Sequence, residues 1–238
     1  MTDKQLLIRR LALWLLWLGF SVYAFSFAPP EQPNTLELIQ RLATAQVEGI
    51  NPLIVALFNI MGVFPVIYAC LLLFDGRMQP VRAYPFVLGS FAVGAFAILP
   101  YLALRQPSSE FTGHKNWFLK ILESRWLGGS VAIAVMLLVA YGLTQGDWAD
   151  FVQQWQTSRF IHVMSLDFCL LCLLFPIVLK DDMARRNWQN PSVFWLISLV
   201  PLVGSALYLL VRPAIAVGAV APHPAVPAST EMNQTVNQ

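Results

Sequence analysis

Long stretches without a charged residue alternate along this chain with short polar clusters. The stretches approach the length that crosses about 30 Å of hydrocarbon at a helical rise of 1.5 Å per residue. Six can be marked out, over residues 11–28, 52–74, 83–104, 126–143, 160–179 and 193–211, and only the fifth holds a charge, Asp167. In lipid the backbone must satisfy its own hydrogen bonds, which an isolated apolar run does only as a helix. The pattern therefore predicts an all-α fold, a polytopic membrane helix bundle of six transmembrane helices.

The segments between them carry their own signals. Residues 34–50 read as an amphipathic interfacial helix: Asn34 and Glu37 have the spacing of a capping box, and Glu37 and Arg41 stand four apart on the polar face. Residues 148–155 mix Trp148 and Trp155 with Asp150, Gln153 and Gln154 and read as a second interfacial stretch. A membrane domain over 1–212 is expected to be followed by a mobile tail over 213–238, where prolines give way to polar residues that cannot bury enough surface to order themselves. The first run follows Lys4, Arg9 and Arg10 as in a signal peptide, but Phe25 and Phe27 before Pro29 and Pro30 make a poor cleavage region, so it reads as a retained span.

Composition agrees with a lipid environment: of 238 residues 57% are hydrophobic and 12% charged, about half the charge density of a soluble domain. A net charge of +2 without a basic patch argues against nucleic acid. Cys70, Cys169 and Cys172 all fall in apolar runs, which is not an extracellular disulfide framework. With six crossings, Lys and Arg divide seven to eight between the two faces, and the positive-inside rule decides nothing globally. Two segments echo each other: Phe64-Pro65 leads through Asp75 and Arg77 to Tyr101 and Arg105, and Phe175-Pro176 leads through Asp181 and Arg185 to Tyr208 and Arg212. With three spans per half, such a repeat would be inverted in the membrane.

Few residues offer chemistry. Asp167 lies deep in the fifth span, where an ionisable group is a functional candidate. It serves either as a transport or proton-carrying carboxyl with Asn59 lining the same path, or as a neutral acid hydrogen-bonded within the bundle. His162, near the interface, is the candidate cofactor ligand, since a neutral imidazole can hold a pigment metal; the plainer reading bonds it to a headgroup or loop. The Cys169-x-x-Cys172 pair lies in lipid, where thiols stay inert. Ser130 after Gly128-Gly129 has the look of an intramembrane protease nucleophile, but no histidine stands on its side within a span, and Gly128 with Ala132 suits close helix packing. Ser90 and Gly94 suit such packing as well. Pro65, Pro100, Pro176 and Pro201 could break their spans, as in carriers, or merely kink them. Asp181-Asp182 beside Arg185 and Arg186 reads as a solvated loop, and no metal site or catalytic set is assigned.

At Asn51-Pro52, Leu57 through Gly62, Pro65, Tyr68, Asp75-Gly76-Arg77, Gln79, Pro85-Phe86, Pro100-Tyr101 and Tyr208 through Pro213, the sequence resembles an uncharacterised family of multi-span membrane proteins from cyanobacteria and plastids. That resemblance implies a thylakoid membrane, or the plasma membrane of a photosynthetic organism, and brings no assigned reaction with it. The expected function is a non-catalytic accessory protein that aids assembly, stability or pigment supply of photosynthetic membrane complexes. Its partners would be the lipid bilayer and other membrane subunits, with chlorophyll or carotenoid as the cofactor to look for. On this reading Asp75, Gly76 and Arg77 form a recognition loop for a partner. The alternative is a small-solute or ion carrier using Asp167, Asn59 and the proline-interrupted helices.

Overall fold

A computed structural model describes residues 2–108, 111 and 114–215. Among them every regular element is helical. Four helices are long and apolar enough to cross a membrane: α1 (Asp3–Val22, prolonged by a π turn over Tyr23–Phe27), α3 (Pro52–Asp75), α7 (Arg125–Gln145) and α9 (Arg159–Arg185). The protein is a membrane-embedded helical bundle. Between the long helices lie the short α2 (Thr35–Ala43), α6 (Trp117–Leu122) and α8 (Trp148–Thr157). Two pairs of apolar half-helices complete the fold, α4 (Tyr84–Val93) with α5 (Ala95–Leu104) and α10 (Pro191–Leu199) with α11 (Val203–Val211).

These pairs replace the predicted third and sixth spans, and neither crosses. In the first, Gly89 lies against Ala97, the ring of Phe86 is 5.6 Å from that of Tyr101, and the Gln79 side chain hydrogen-bonds the backbone of Gln106 in both directions. Those contacts centre on Gly94, so α4 descends and α5 returns to the level where α4 began. Gly94 makes the reversal at φ +50°, a conformation that L side chains rarely adopt. In the second pair Leu202, at φ +66°, stands at the turn, and Gly204 lies so close to the backbone of Ile197 that an added Cβ would fall 2.5 Å from its carbonyl oxygen. Trp188 before α10 stacks on Tyr208 near the end of α11. Helices of nine or ten residues rise about 14–15 Å, half of a typical hydrocarbon thickness, so each pair is a re-entrant hairpin.

The long helices fix the two faces. The carboxyl ends of α3 and α9 meet where Asp75 and Asp182 share Arg185, and their amino ends meet in a cluster of Ile54, Val55, Ile161 and Met164. They therefore run parallel. α1 begins beside the first pair of ends, with Arg9 reaching the Leu102 carbonyl, and finishes at the other face, where Tyr23 bonds His162. α7 does the same, with Gly128 against Leu209 and Gly142 against Ala56. Each half of the chain thus consists of a descending helix, a short helix on the far face (α2 or α8), an ascending helix and a re-entrant hairpin. The repeat is real in its order but parallel, because each half contains two crossings, so the expected inversion is overturned. The register also changes: Asp182, not Asp181, answers to Asp75, and each is bonded by a tyrosine twenty-six residues on and paired with an arginine thirty residues on.

The even split of positive charge disappears with the third and sixth crossings. Arg41 and Arg159 stand on the α2 and α8 face, and the other thirteen of the fifteen Lys and Arg residues stand on the face bearing the hairpin bases.

Several local expectations are corrected. α3, α5 and α9 continue through Pro65, Pro100 and Pro176; of the four prolines only Pro201 falls at a break, between α10 and α11, and the other break comes at Gly94. Pro65 is itself buried within α3. Asn34 makes no capping bond to α2: its ψ of 11° is not the extended backbone that a capping side chain needs. The tail expected to be mobile from residue 213 is anchored over its first three residues: Arg186 donates to the Pro213 carbonyl, Ile215 N–H to Glu123, and Lys115 to the Ile215 carbonyl. Residues 216–238 lie outside the described residues.

Candidate functional site

Two polar constellations sit inside the bundle, one at the base of the hairpins and one at the tip of the first. The basal one is an ion-pair network. Asp75, the last residue of α3, accepts from Tyr101 Oη at 2.8 Å and Arg185 Nη2 at 2.8 Å, and pairs with Arg105 Nε at 3.1 Å. Asp182 accepts from Tyr208 Oη at 2.7 Å and Arg186 Nε at 2.7 Å, with Arg185 and Arg212 each at 3.4 Å. Arg105 also pairs with Asp181, and Arg186 continues to Glu123, which Lys115 meets from the other side. Asp182 and Arg105 have no exposure at all. The local sequence explains the arrangement: a tyrosine and an arginine four apart share one face of α5 or α11, and each hairpin lays that face against the end of the preceding long helix.

With four carboxylates facing four arginines and a lysine, the charges nearly cancel, as burial requires. Glu123 lies outside the spans. Its burial would raise its pKa, but the Ile215 amide, Lys115 and Arg186 outweigh that and hold it below its ordinary value. The expected solvated Asp181-Asp182 loop is instead the last turns of α9, and the expected recognition loop of Asp75, Gly76 and Arg77 dissolves. Asp75 is 1% exposed and held within the network, Gly76 packs on Ala83, and only Arg77 is free at the surface, donating to the His114 carbonyl. A carboxylate so enclosed cannot meet a partner.

At the tip, Asp167 of α9 accepts from the N–H groups of Ala95, at 2.9 Å, and Phe96, the first two residues of α5. It caps a half-helix inside the bundle, where those orphan donors have no water, and its charge faces the positive end of the helix dipole. Trp17 Nε1 donates to the Phe96 carbonyl at 2.9 Å and ties α1 to the same tip. Asp167 lies eight residues into α9, so the tip is about 12 Å from the opposite face at helical rise. Asn59 does not join it: its amide donates to the Val55 carbonyl and its side of α3 is exposed. The path proposed for a carrier is thus not brought together.

His162 is buried, and both its nitrogens are engaged, one by Tyr23 Oη at 2.8 Å and the other by the Trp155 carbonyl at 2.9 Å, with the Trp155 ring stacked at 4.3 Å. As arranged, neither nitrogen can ligate a pigment metal. The imidazole instead pins α1, α8 and α9 together at the face opposite the network. Ser130 faces outward, and an added Cβ at Gly128 would fall 2.6 Å from the Leu209 carbonyl oxygen. The small residues of α7 are therefore used by this chain's own second hairpin. Cys169 is exposed and Cys172 partly so, both as free thiols.

Arg105, Arg186, Arg212, Tyr101, Tyr208 and Glu123 were not among the predicted site residues. The Tyr-x-x-x-Arg ending of two apolar runs was their signal, since two identical polar pairs closing two lipid-length segments ask for buried anions.

Fold and site together define a class: a helical membrane protein of two parallel repeats, each a pair of spans with a re-entrant hairpin clamped at its base by an Asp–Tyr–Arg set. Comparison with protein-family models, curated proteins and solved structures gives no match.

Proposed function

We propose that this protein is a membrane accessory subunit that binds other membrane helices and aids assembly or stability of a larger complex. The resemblance of α3, the first hairpin and the end of the second to a family of cyanobacteria and plastids points to a photosynthetic membrane. The observation that carries the reading is a seam on α1. Leu7, Leu11, Leu15, Leu18 and Val22 follow one another at spacings of four, four, three and four, and each is more than half exposed. That is the near-heptad spacing with which one helix meets another. Within the chain α1 packs chiefly on α5, burying only Leu13 and Phe20 of its length, and its outer side remains for a neighbour. The interior polar groups are committed to holding the hairpins, which favours a structural role for them over catalysis or transport. By the positive-inside rule the face with thirteen cations is cytoplasmic or stromal, and both hairpins enter from it.

The test is purification of the tagged full chain from its native membrane in mild detergent, beside the variant Leu11→Ala/Leu15→Ala/Leu18→Ala. Photosynthetic subunits or pigment should co-migrate with the wild-type chain and be lost from the variant. A wild-type chain that migrates alone, or partners retained equally by the variant, overturns the reading. Cross-linking through a cysteine at position 15 gives the same decision independently, since it reports what lies on the seam.

A further inference from the structure

We infer that the base of the first hairpin is a binding site for the phosphate-bearing headgroup of an anionic lipid. A cavity of about 290 Å³ opens there between the end of α3 and the start of α4, lined by Leu73, Gly76, Arg77, Gln79, Arg82 and Tyr84. Both arginines are exposed, and among the described residues no carboxylate neutralises either. Arg77 donates only to the His114 carbonyl and lies 6.0 Å from the Phe111 ring, and Arg82 makes no hydrogen bond or ion pair among the described residues. This sets them apart from the arginines of the basal network, each of which has an anion. A pair of unspent cations around an open, partly apolar cavity fits a monoanionic or dianionic oxygen cluster, which guanidinium groups bind by paired hydrogen bonds.

The surroundings select a lipid over a free anion. The cavity lies on the face with thirteen of the fifteen cations, at the level where α3 leaves and α4 enters the apolar layer. Below it, Tyr84, Leu88 and Phe91 form one stripe of α4 at spacings of four and three, exposed by 51%, 64% and 54%. An acyl chain descending from the cavity would lie along that stripe, with the Tyr84 ring at the headgroup boundary, where aromatic side chains prefer to sit. Basic pockets between membrane helices on this side of a bilayer are suited to anionic headgroups.

Native mass spectrometry of the full chain in a non-ionic detergent, titrated with dioleoyl phosphatidylglycerol, tests the proposal. One phosphatidylglycerol should be retained in preference to phosphatidylcholine. Arg77→Gln/Arg82→Gln should weaken its retention roughly thirty-fold, from two interfacial cations at the usual value of each. The conservative Arg77→Lys/Arg82→Lys should restore most of it. Lys4→Gln/Lys120→Gln, which removes two exposed charges from the same face, should leave it within about two-fold if the site is local. Equal loss in that control, phosphatidylcholine bound as tightly, or displacement of the lipid by millimolar inorganic phosphate would each overturn the assignment to a lipid headgroup site. So would unchanged retention by Arg77→Gln/Arg82→Gln.

Discussion

Replacing Asp182 by alanine should unfold this protein more readily than any single surface change, and the size of the effect follows from its partners. The carboxylate is wholly buried and accepts from Tyr208 Oη and Arg186 Nε, both at 2.7 Å, with Arg185 and Arg212 at 3.4 Å. Arg186 would keep Glu123 and the Pro213 carbonyl, and Arg212 would keep the Cys70 and Leu122 carbonyls, so neither guanidinium is stripped bare. What is lost is the anion they share and the acceptor of a buried hydroxyl. Breaking a buried ion pair from one side costs about 3–5 kcal/mol. At 2–4 °C per kcal/mol for a chain of this size, the midpoint should fall by roughly 10 °C. Thermal unfolding of the purified chain in mild-detergent micelles, followed by tryptophan fluorescence, measures it. Asp182→Asn, which keeps an oxygen for Tyr208 but not the charge, should fall between. Because Arg185 bridges Asp182 to Asp75, alanine at both positions should depart from additivity by roughly 0.5–3 kcal/mol. An Asp182→Ala midpoint within about 2 °C of wild type would refute the reasoning, since it would mean that the network is solvated in the folded protein.

Gly94→Ala should cost more than an ordinary glycine replacement, because at φ +50° the new Cβ would stand 1.7 Å from Asp167 Oδ2; loss of folded yield after detergent extraction is the readout. Tyr23→Phe, which takes one hydrogen bond from His162, should lower stability by about 1 kcal/mol with the far face otherwise intact, checked by the same melting assay. The folded-state pKa of Glu123 is depressed, so its contribution to stability is complete above its unfolded value near about 4.3 and is lost as pH falls through the lower folded value. A stability profile between about pH 6 and pH 3 should therefore steepen at the acid end for wild type and flatten there for Glu123→Gln. In a chain freed of Cys70, Cys169 and Cys172, single cysteines at positions 82 and 120 should be labelled from the same side of sealed vesicles, and one at position 153 from the other. Labelling of 82 and 120 from opposite sides would restore the six-span arrangement.

The four long helices were legible because each joins a run of eighteen or more residues, almost free of charge, to a polar stop at both ends, and lipid leaves such a segment one regular conformation. The hairpins were not. Residues 83–104 and 193–211 have the length and composition of a span, and nothing in hydropathy separates a helix that crosses from two half-helices that return. The difference lies in one backbone position, Gly94 or Leu202, and in what waits at the tip. Asp167 was legible as an unusual residue, yet its role was not, because its partners are the backbone donors of Ala95 and Phe96, which no side-chain pattern announces. His162 was misread for a similar reason. Its ring is engaged by Tyr23, 139 residues away in the chain, and only the fold brings the two together.

Charge patterning shows how one misplaced crossing spreads through a topology. The first hairpin read as a span reverses the assigned side of everything from it to the second hairpin, and residues 105–125 alone hold four of the fifteen Lys and Arg residues. Six crossings divide the cations seven to eight, whereas four crossings with two returning hairpins divide them thirteen to two. Once α4 and α5 return to their starting level, thirteen cations share a face with the buried carboxylates Asp75 and Asp182 and the half-buried Asp181. The same fact accounts for the network. Two parallel repeats bring the carboxyl ends of α3 and α9 together, and an inverted pair would have set them on opposite faces, where Arg185 could not have bridged Asp75 and Asp182. The Asp–Tyr–Arg sets therefore act as the lock between the halves as well as the base of each hairpin. A change at Arg185 should loosen both hairpins together, whereas one at Arg105 or Arg212 should first loosen its own.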